Sequence, residues 1–460
     1  MIYLVLFVGI YMLQLLLKMH WITILAFTLY LLLLLPVHRR RYQQMQEEKL
    51  RFTETTEYLD TLLYAFLKEE KVERALENAE AALMDGPMRE KVREALEHLH
   101  MTFDDTEVMR ESLRIIENAY PCGRVETVHD FIVHVEKFGG RIERPVHLLL
   151  EDKNRWQSRI LLAMKDRSKM FTDIIMSIGV SILICGIILY MPVMDIDISK
   201  NVLCQLLTFV MLVLDDLIFL RAQRFMAADW LRLDVSIDEE EAKQIKNYRN
   251  YNPRREQRIS VFLAIPFFAV AVISLWLKRQ SVSAIGFAMA VFMLNQHRIG
   301  HRLARKNIVK SLKCAFPNWL MDIVLLMQSE NVQMAMRKSQ THAPAVLKED
   351  LRLLNERLEM EPEAAEPYHA FLQEFGIPEV HAAMSMLFSI SMGNSNQADR
   401  QLGELIDRNL KMLDAAEKER IANLGSGMYL LFLAPVLSAS LKLVVDMAVF
   451  MLSFITGTGI

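Results

Sequence analysis

Seven stretches of this chain are apolar over much of a membrane's thickness, and the charged residues are concentrated between them. A helix needs about 20 apolar residues, at the least roughly 17, to cross the hydrocarbon core, where the backbone must satisfy its own hydrogen bonds. The runs occupy residues 2–17, 21–37, 171–191, 202–220, 259–277, 282–295 and 428–455. The sixth is short and can extend back through Ser281 and Gln280. The last is too long for one upright crossing and contains Pro435 and Lys442, so it reads as two short helices joined near 438–442. The expectation is an all-α, polytopic membrane protein with about eight crossings, paired as four hairpins. The first run has no basic residue before it, no small-residue cleavage site, and a second apolar run directly behind it. It therefore reads as a retained membrane segment rather than a signal peptide.

Composition supports this segregation. Of 460 residues, 52% are hydrophobic while 24% are charged, and those figures coexist only if the two kinds occupy different stretches. A net charge of -3 gives no basic face for nucleic acid. Few glycines and prolines and many methionines favour helix over strand. Cys122, Cys185, Cys204 and Cys314 show no C-x-x-C spacing and read as unpaired small hydrophobes.

Orientation follows from Lys and Arg near the ends of the runs. His38-Arg39-Arg40-Arg41 follows the first hairpin, and Lys165, Arg167 and Lys169 precede the second. Arg221, Arg224 and Arg232 follow the second, Arg254, Arg255 and Arg258 precede the third, and Arg298, Arg302, Arg305 and Lys306 follow it. The opposite ends carry Lys18, Lys200, Lys278, Arg279 and Lys442. All large polar stretches are thus expected to be cytoplasmic, and both termini with them.

The resulting organisation is a membrane hairpin at 1–37, a helical region at 42–169, a hairpin at 171–220, a charged linker at 221–258, a hairpin at 259–297, a second helical region at 307–424 and a C-terminal hairpin at 428–456. In the first region Tyr58-Leu59, Leu62-Leu63 and Phe66-Leu67 repeat at helical spacing, and Val72, Ala75-Leu76 and Ala79 resume after a break at 68–71. Gly86-Pro87, Pro121-Cys122-Gly123 and Phe138-Gly139-Gly140 punctuate it. The second region is punctuated alike. Phe316-Pro317 opens a helix carrying Trp319-Leu320, Ile323-Val324 and Met327. Met334-Ala335-Met336 follows Ala75-Leu76 by 260, Ala343-Pro344 follows Gly86-Pro87 by 257, and Met392-Gly393-Asn394 follows Phe138-Gly139-Gly140 by 254. Past that point 148–155 corresponds to 402–409. The chain reads as an internal duplication in register with its membrane hairpins. The linker, with Asp238-Glu239-Glu240-Glu241 and Pro253, reads as solvated.

The residues offer little chemistry. There is no P-loop, H-E-x-x-H, G-x-S-x-G or EF-hand sequence, so no enzyme activity, cofactor or metal is expected. His98 and His100 lie on opposite sides of a helix, and His129 and His134 are five apart, which favours structural roles. Asp215 and Asp216 inside an apolar run need an explanation, because intramembrane carboxylates are costly. They lie about one turn from Arg221 and Arg224, so an interfacial position or an inter-helix ion pair competes with a proton path. Asp446 reads the same way. Gly139-Gly140 reads as a tight helix–helix turn needing positive φ.

This order of hydrophobic pattern and punctuation resembles the type II secretion F domain, the helical module of platform proteins in type II secretion and type IV pilus machines. The match is carried by 59–79 with Gly86-Pro87, by Glu136-Lys137-Phe138-Gly139-Gly140 followed by 148–155, and in the second copy by Phe316-Pro317-Asn318-Trp319-Leu320, 334–336, and Gly393 followed by 402–408. Members often show an acidic residue close before a Gly-x-x-Gly or Gly-Gly; the second copy, Ser391-Met392-Gly393-Asn394, lacks the acid and the second glycine. The chain is similar to tight-adherence (Tad) pilus platform proteins, TadB-like and TadC-like, joined end to end at roughly 1–225 and 255–460.

The resemblance implies two cytoplasmic F-type helical bundles in a multi-pass protein of the bacterial inner membrane, and a non-catalytic role. The implied partners are a hexameric secretion ATPase, pilin-like subunits, other membrane assembly proteins and further copies of the chain. Glu136, Gly139, Gly140 and Gly393 are then candidate partner contacts or turns. Two alternatives stand beside it: a solute or ion transporter using Asp215 and Asp216, and an F-like component of a sporulation channel.

Overall fold

A computed structural model describes residues 2–101, 106–140, 142–190, 201–231, 238–276, 280–328, 330–341, 343–393 and 395–456. Among them every regular element is helical. In chain order these are α1 (Ile2–Leu17), α2 (Trp21–Glu69), α3 (Val72–Ala82), α4 (Pro87–Met101), α5 (Thr106–Ala119), α6 (Gly123–Phe138), α7 (Glu143–Leu189), α8 (Val202–Met226), α9 (Asp238–Arg249), α10 (Pro253–Trp276), α11 (Gln280–Leu326), α12 (Val332–Ser339), α13 (Ala345–Met360), α14 (Glu366–Ala370), a 3₁₀ turn (Gln373–Phe375), α15 (Pro378–Met392) and α16 (Ser395–Thr456).

Five helices are long and apolar enough to cross a membrane: α2, α7, α8, α10 and α16; α1 is apolar over a shorter length. Among the described residues the expected count of about eight is not confirmed. The largest difference is at the C-terminal run, which lies within one continuous 62-residue helix instead of two short ones joined near 438–442. Pro435 does not break it, and Ser438 Oγ lies 2.9 Å from the Pro435 carbonyl. A turn opened inside lipid would strand several backbone groups, whereas a proline strands few. Lys442, expected at a membrane face, is instead enclosed in the bundle and paired with Asp446.

Pro317 was likewise expected to open a helix and lies inside the 47-residue α11. Four long helices, α2, α7, α11 and α16, run unbroken from an apolar stretch into a helical mass. The basic clusters that flank these apolar runs contain no proline, Gly300 in α11 and Gly425 and Gly427 in α16 do not interrupt their helices, and Arg and Lys are good helix formers.

The breaks that do occur have local causes. The chain leaves α2 through Glu70 at φ 53, and Pro87 takes the first position of α4. Asn201 Oδ1 accepts from the Leu203 amide to cap α8. The linker is not wholly solvated: α9 lies against α11 and α13. His301 stacks between Tyr248 and Tyr251 at 4.4 and 4.1 Å, and Arg249 reaches Asp350 and Glu374.

One buried apolar cluster runs through both helical masses, from Phe52, Tyr58 and Leu62 to Trp319, Leu320, Leu405 and Leu413. Each fully buried Leu or Phe there contributes about 1.5–3 kcal/mol. In the apolar part a second cluster joins Leu17, Phe27, Cys185, Met211 and Ala439, so α1, α2, α7, α8 and α16 pack together. Gln205 fastens the α1–α2 turn to α8. It accepts from the His20 amide and from Thr23 Oγ1, both at 3.0 Å, and donates to the Lys18 carbonyl at 3.1 Å. In the α10–α11 hairpin, a Cβ on Gly286 would lie 2.9 Å from that of Ala271, so close approach of the two backbones requires the glycine.

The helices α7 and α16 meet side by side and in parallel. Arg159 pairs with Asp414, Ser177 Oγ donates to the Phe432 carbonyl at 2.9 Å, and Cys185 lies against the Ala439 carbonyl. Thr456 therefore lies toward the end of the bundle where α7 finishes, away from the helical masses.

Candidate functional site

Glu136 and the Gly139-Gly140 turn close α6 and face the start of α3. Lys71 stands at the N-cap of α3 and provides no side-chain hydrogen bond. Glu136 supplies it from 64 residues away: its Oε2 accepts from the Val72 amide at 2.7 Å. A carboxylate at a helix N-terminus satisfies an orphan N–H and complements the helix dipole. The second helical region, which lacks such an acid, caps its helix differently. There α12 is capped by its own Asn331, whose Oδ1 accepts from the Met334 amide at 2.9 Å. With that local cap in place, the position matching Glu136 is free to be Ile390, which is buried.

Gly139 has φ 70 and ψ -175, and Gly140 has φ 146, as the turn reading expects. A side chain at Gly139 would be strained by about 1–3 kcal/mol. Gly393 differs: its φ is -90, a conformation open to any residue, so it is not the conformational equivalent of Gly139. Asn394 lies outside the described residues.

The histidines of the first mass divide in the same way. His129 is fully buried between Tyr58 Oη and Glu117 Oε1, each 2.8 Å from a ring nitrogen. Arg110 joins Glu117 to Asp130. Burial, and then the Glu117 carboxylate, push the Tyr58 hydroxyl well above its ordinary range. Burial acts to raise Glu117 too, but His129 and Arg110 outweigh it and hold the carboxyl below its usual range. This is a satisfied core network. Glu73, Glu77 and His100 bring three ligand atoms within 4.8 Å of one another at the surface, where Arg74 already pairs with Glu77.

Where the two masses face each other, Asp322 of α11 borders a cavity lined by Asp130, His134 and Lys137 of α6 and by Lys338 of α12. Burial, then Asp130 and Glu126, push its carboxyl up to about 8. Nearer the apolar segments, Arg167 of α7 lies buried over the Trp230 ring at 4.3 Å and donates to the Phe225 carbonyl at 3.0 Å. Burial lowers it to about 10.

The intramembrane acids are brought together with partners that sequence reasoning did not assign. Asp216 accepts from Tyr30 Oη and lies beside His38 Nε2, both at 3.1 Å, which ties α8 to α2. Asp215 is 3% exposed and lies 3.1 Å from Ser438 Oγ of α16. Asp446 is 1% exposed, pairs with Lys442 on the same helix, and has Cys204 of α8 against it. The Lys442–Asp446 spacing of four could have been read from the sequence as a helical ion pair. The Asp215–Ser438 contact, 223 residues apart, had no such signal.

No family model, no curated protein and no solved structure matches this chain.

Proposed function

We propose that this chain is a non-catalytic platform protein of a type II secretion or Tad-type pilus machine in a bacterial inner membrane. In this reading it couples a hexameric cytoplasmic secretion ATPase to the extraction of pilin-like subunits and works as a homo-oligomer with other assembly proteins. The helical masses lie on the cytoplasmic side, where the flanking Lys and Arg residues favour them.

The observation that carries the reading is the continuity of α2, α7, α11 and α16 between apolar stretch and helical mass. A 49-residue helix is about 70 Å long and stays helical through Pro36. A push applied to such a mass by a partner is delivered into the apolar bundle instead of being absorbed by loops. The shared apolar cluster makes the two masses respond as one body.

The test is to solubilise the protein in detergent, pull it down, and look for a P-loop secretion ATPase. Copurification supports the platform. Recovery of the protein alone, with substrate-dependent flux in liposomes, overturns it and favours a transporter. One observation favours that second reading: Tyr30, His38, Asp215, Asp216, Ser438 and Asp446 come from three helices and converge inside the apolar bundle.

A further inference from the structure

Asp215 presents two separate anomalies. Its Oδ2 is enclosed and has no hydrogen-bond partner among the described residues, and its Oδ1 has the Ser438 hydroxyl. The cation nearest along α16, Lys442, is one turn further on and is committed to Asp446. A carboxylate in an apolar bundle with one hydroxyl beside it and no counter-charge of its own is very unfavourable. The neutral acid escapes that cost.

The second anomaly is the proton count at Ser438. Its Oγ lies 3.1 Å from Asp215 Oδ1 and 2.9 Å from the Pro435 carbonyl. A hydroxyl has one proton and two lone pairs, so it cannot donate to both. If Ser438 donates to the Pro435 carbonyl, then Asp215 must donate to Ser438, and each atom in the chain has a suitable partner.

We infer that Asp215 and Ser438 form a proton-binding site inside the apolar bundle, with Asp215 held as a neutral acid that donates to Ser438 Oγ while Ser438 donates to the Pro435 carbonyl. The ligand is a proton: release leaves the Asp215 carboxylate and passes the proton to water, and uptake reverses this. The groups facing the site are Ser438, Lys442 and Asp446 from α16 and Cys185 from α7, with Asp216 next along α8 held by Tyr30 and His38 of α2. With Lys442 and Asp446 cancelling, the proton on Asp215 leaves this part of the bundle neutral. Separation of α8 from α16 would hydrate Asp215 and release the proton, so docking of these helices takes one proton up. The inference rests on neither functional reading above.

The experiment is infrared spectroscopy of the full-length protein in phosphatidylethanolamine–phosphatidylglycerol vesicles at pH 7. Wild type minus Asp215→Asn is expected to show one carboxylic-acid C=O band that moves in D₂O. Wild type minus Asp446→Asn is expected to show a carboxylate band instead. If Asp215→Asn removes a carboxylate band and no carboxylic-acid band, the inference is overturned. Should Asp215→Asn fail to insert, Ser438→Ala keeps the question open to test. The Asp215 C=O band is then expected to rise in frequency as its acceptor is lost, and an unmoved spectrum overturns the proposal.

Discussion

Arg159 and Asp414 form a two-bonded pair across the line where α7 meets α16, Nε to Oδ1 at 2.6 Å, although 255 residues separate them. That separation is one residue more than the offset of 254 that the sequence pattern suggests for this part of the chain. Ser177 meets the Phe432 carbonyl at a separation of 255 as well, and Cys185 meets Ala439 at 254. The contacts along α7 and α16 therefore keep a nearly constant register.

The pair itself is partly exposed, which limits its strength. Arg159→Ala and Asp414→Ala are each expected to lower stability, with a coupling of about 0.5–1 kcal/mol in a double-mutant cycle. The exchange Arg159→Asp with Asp414→Arg should recover much of the loss. Denaturant unfolding in detergent measures both. Additive single effects would show that the contact contributes nothing.

The cap on α3 gives a sharper expectation. Glu136→Ala removes the acceptor for the Val72 amide and should cost about 1 kcal/mol. Adding Lys71→Asn should restore most of that, because it gives α3 the local cap that Asn331 gives α12. Hydrogen exchange at the first turn of α3 is the direct measure. A reversal such as Glu136→Lys would therefore disturb this helix as well as any partner surface, and it cannot isolate ATPase contact.

Lys442 and Asp446 are each 1% exposed, so removing one strands the other. Lys442→Met is expected to destabilise the protein by about 3–5 kcal/mol, whereas Lys442→Met with Asp446→Leu should be nearly neutral. Thermal unfolding in detergent distinguishes these. Equal losses for the single and double variants would mean that packing, not the stranded charge, sets the cost.

Asp322 should make stability depend on pH. Its carboxyl is raised to about 8 in the folded protein, above the ordinary value of about 3.9 that applies when unfolded. Between those values the folded state holds a proton that the unfolded state has lost. Stability from this group therefore falls as pH rises through that window, by at most about 1.4 kcal/mol per unit, and levels off above it. Asp322→Asn should flatten the fall between pH 5 and 8. An unchanged slope in the variant would remove Asp322 as its source.

Several features could be read from residues alone because their causes are local. Gly86-Pro87, Ala343-Pro344 and Phe138-Gly139-Gly140 mark helix boundaries since few other residues fit those backbone positions. The same logic failed at Pro317 and Pro435, which sit inside helices. A proline costs a helix about 3 kcal/mol, and surrounding packing or lipid can outweigh that. Glu136 was read as a candidate partner contact or turn, and its cap on Val72 had no local signal because it joins distant segments. Lys442 carried a readable i, i+4 signal that the proline nearby obscured.

Sequence by itself determined that this chain is helical and that its charged and apolar residues segregate into long, membrane-compatible stretches. Both follow from spacing along one strand of chain and from the backbone's need to bond internally in lipid. Tertiary structure alone decided that the last run is one helix, that α7 and α16 lie in register, and that Asp215 meets Ser438. Such pairings depend on how helices rotate and slide against one another. Those freedoms are fixed by the packing of many side chains at once, which no local period records.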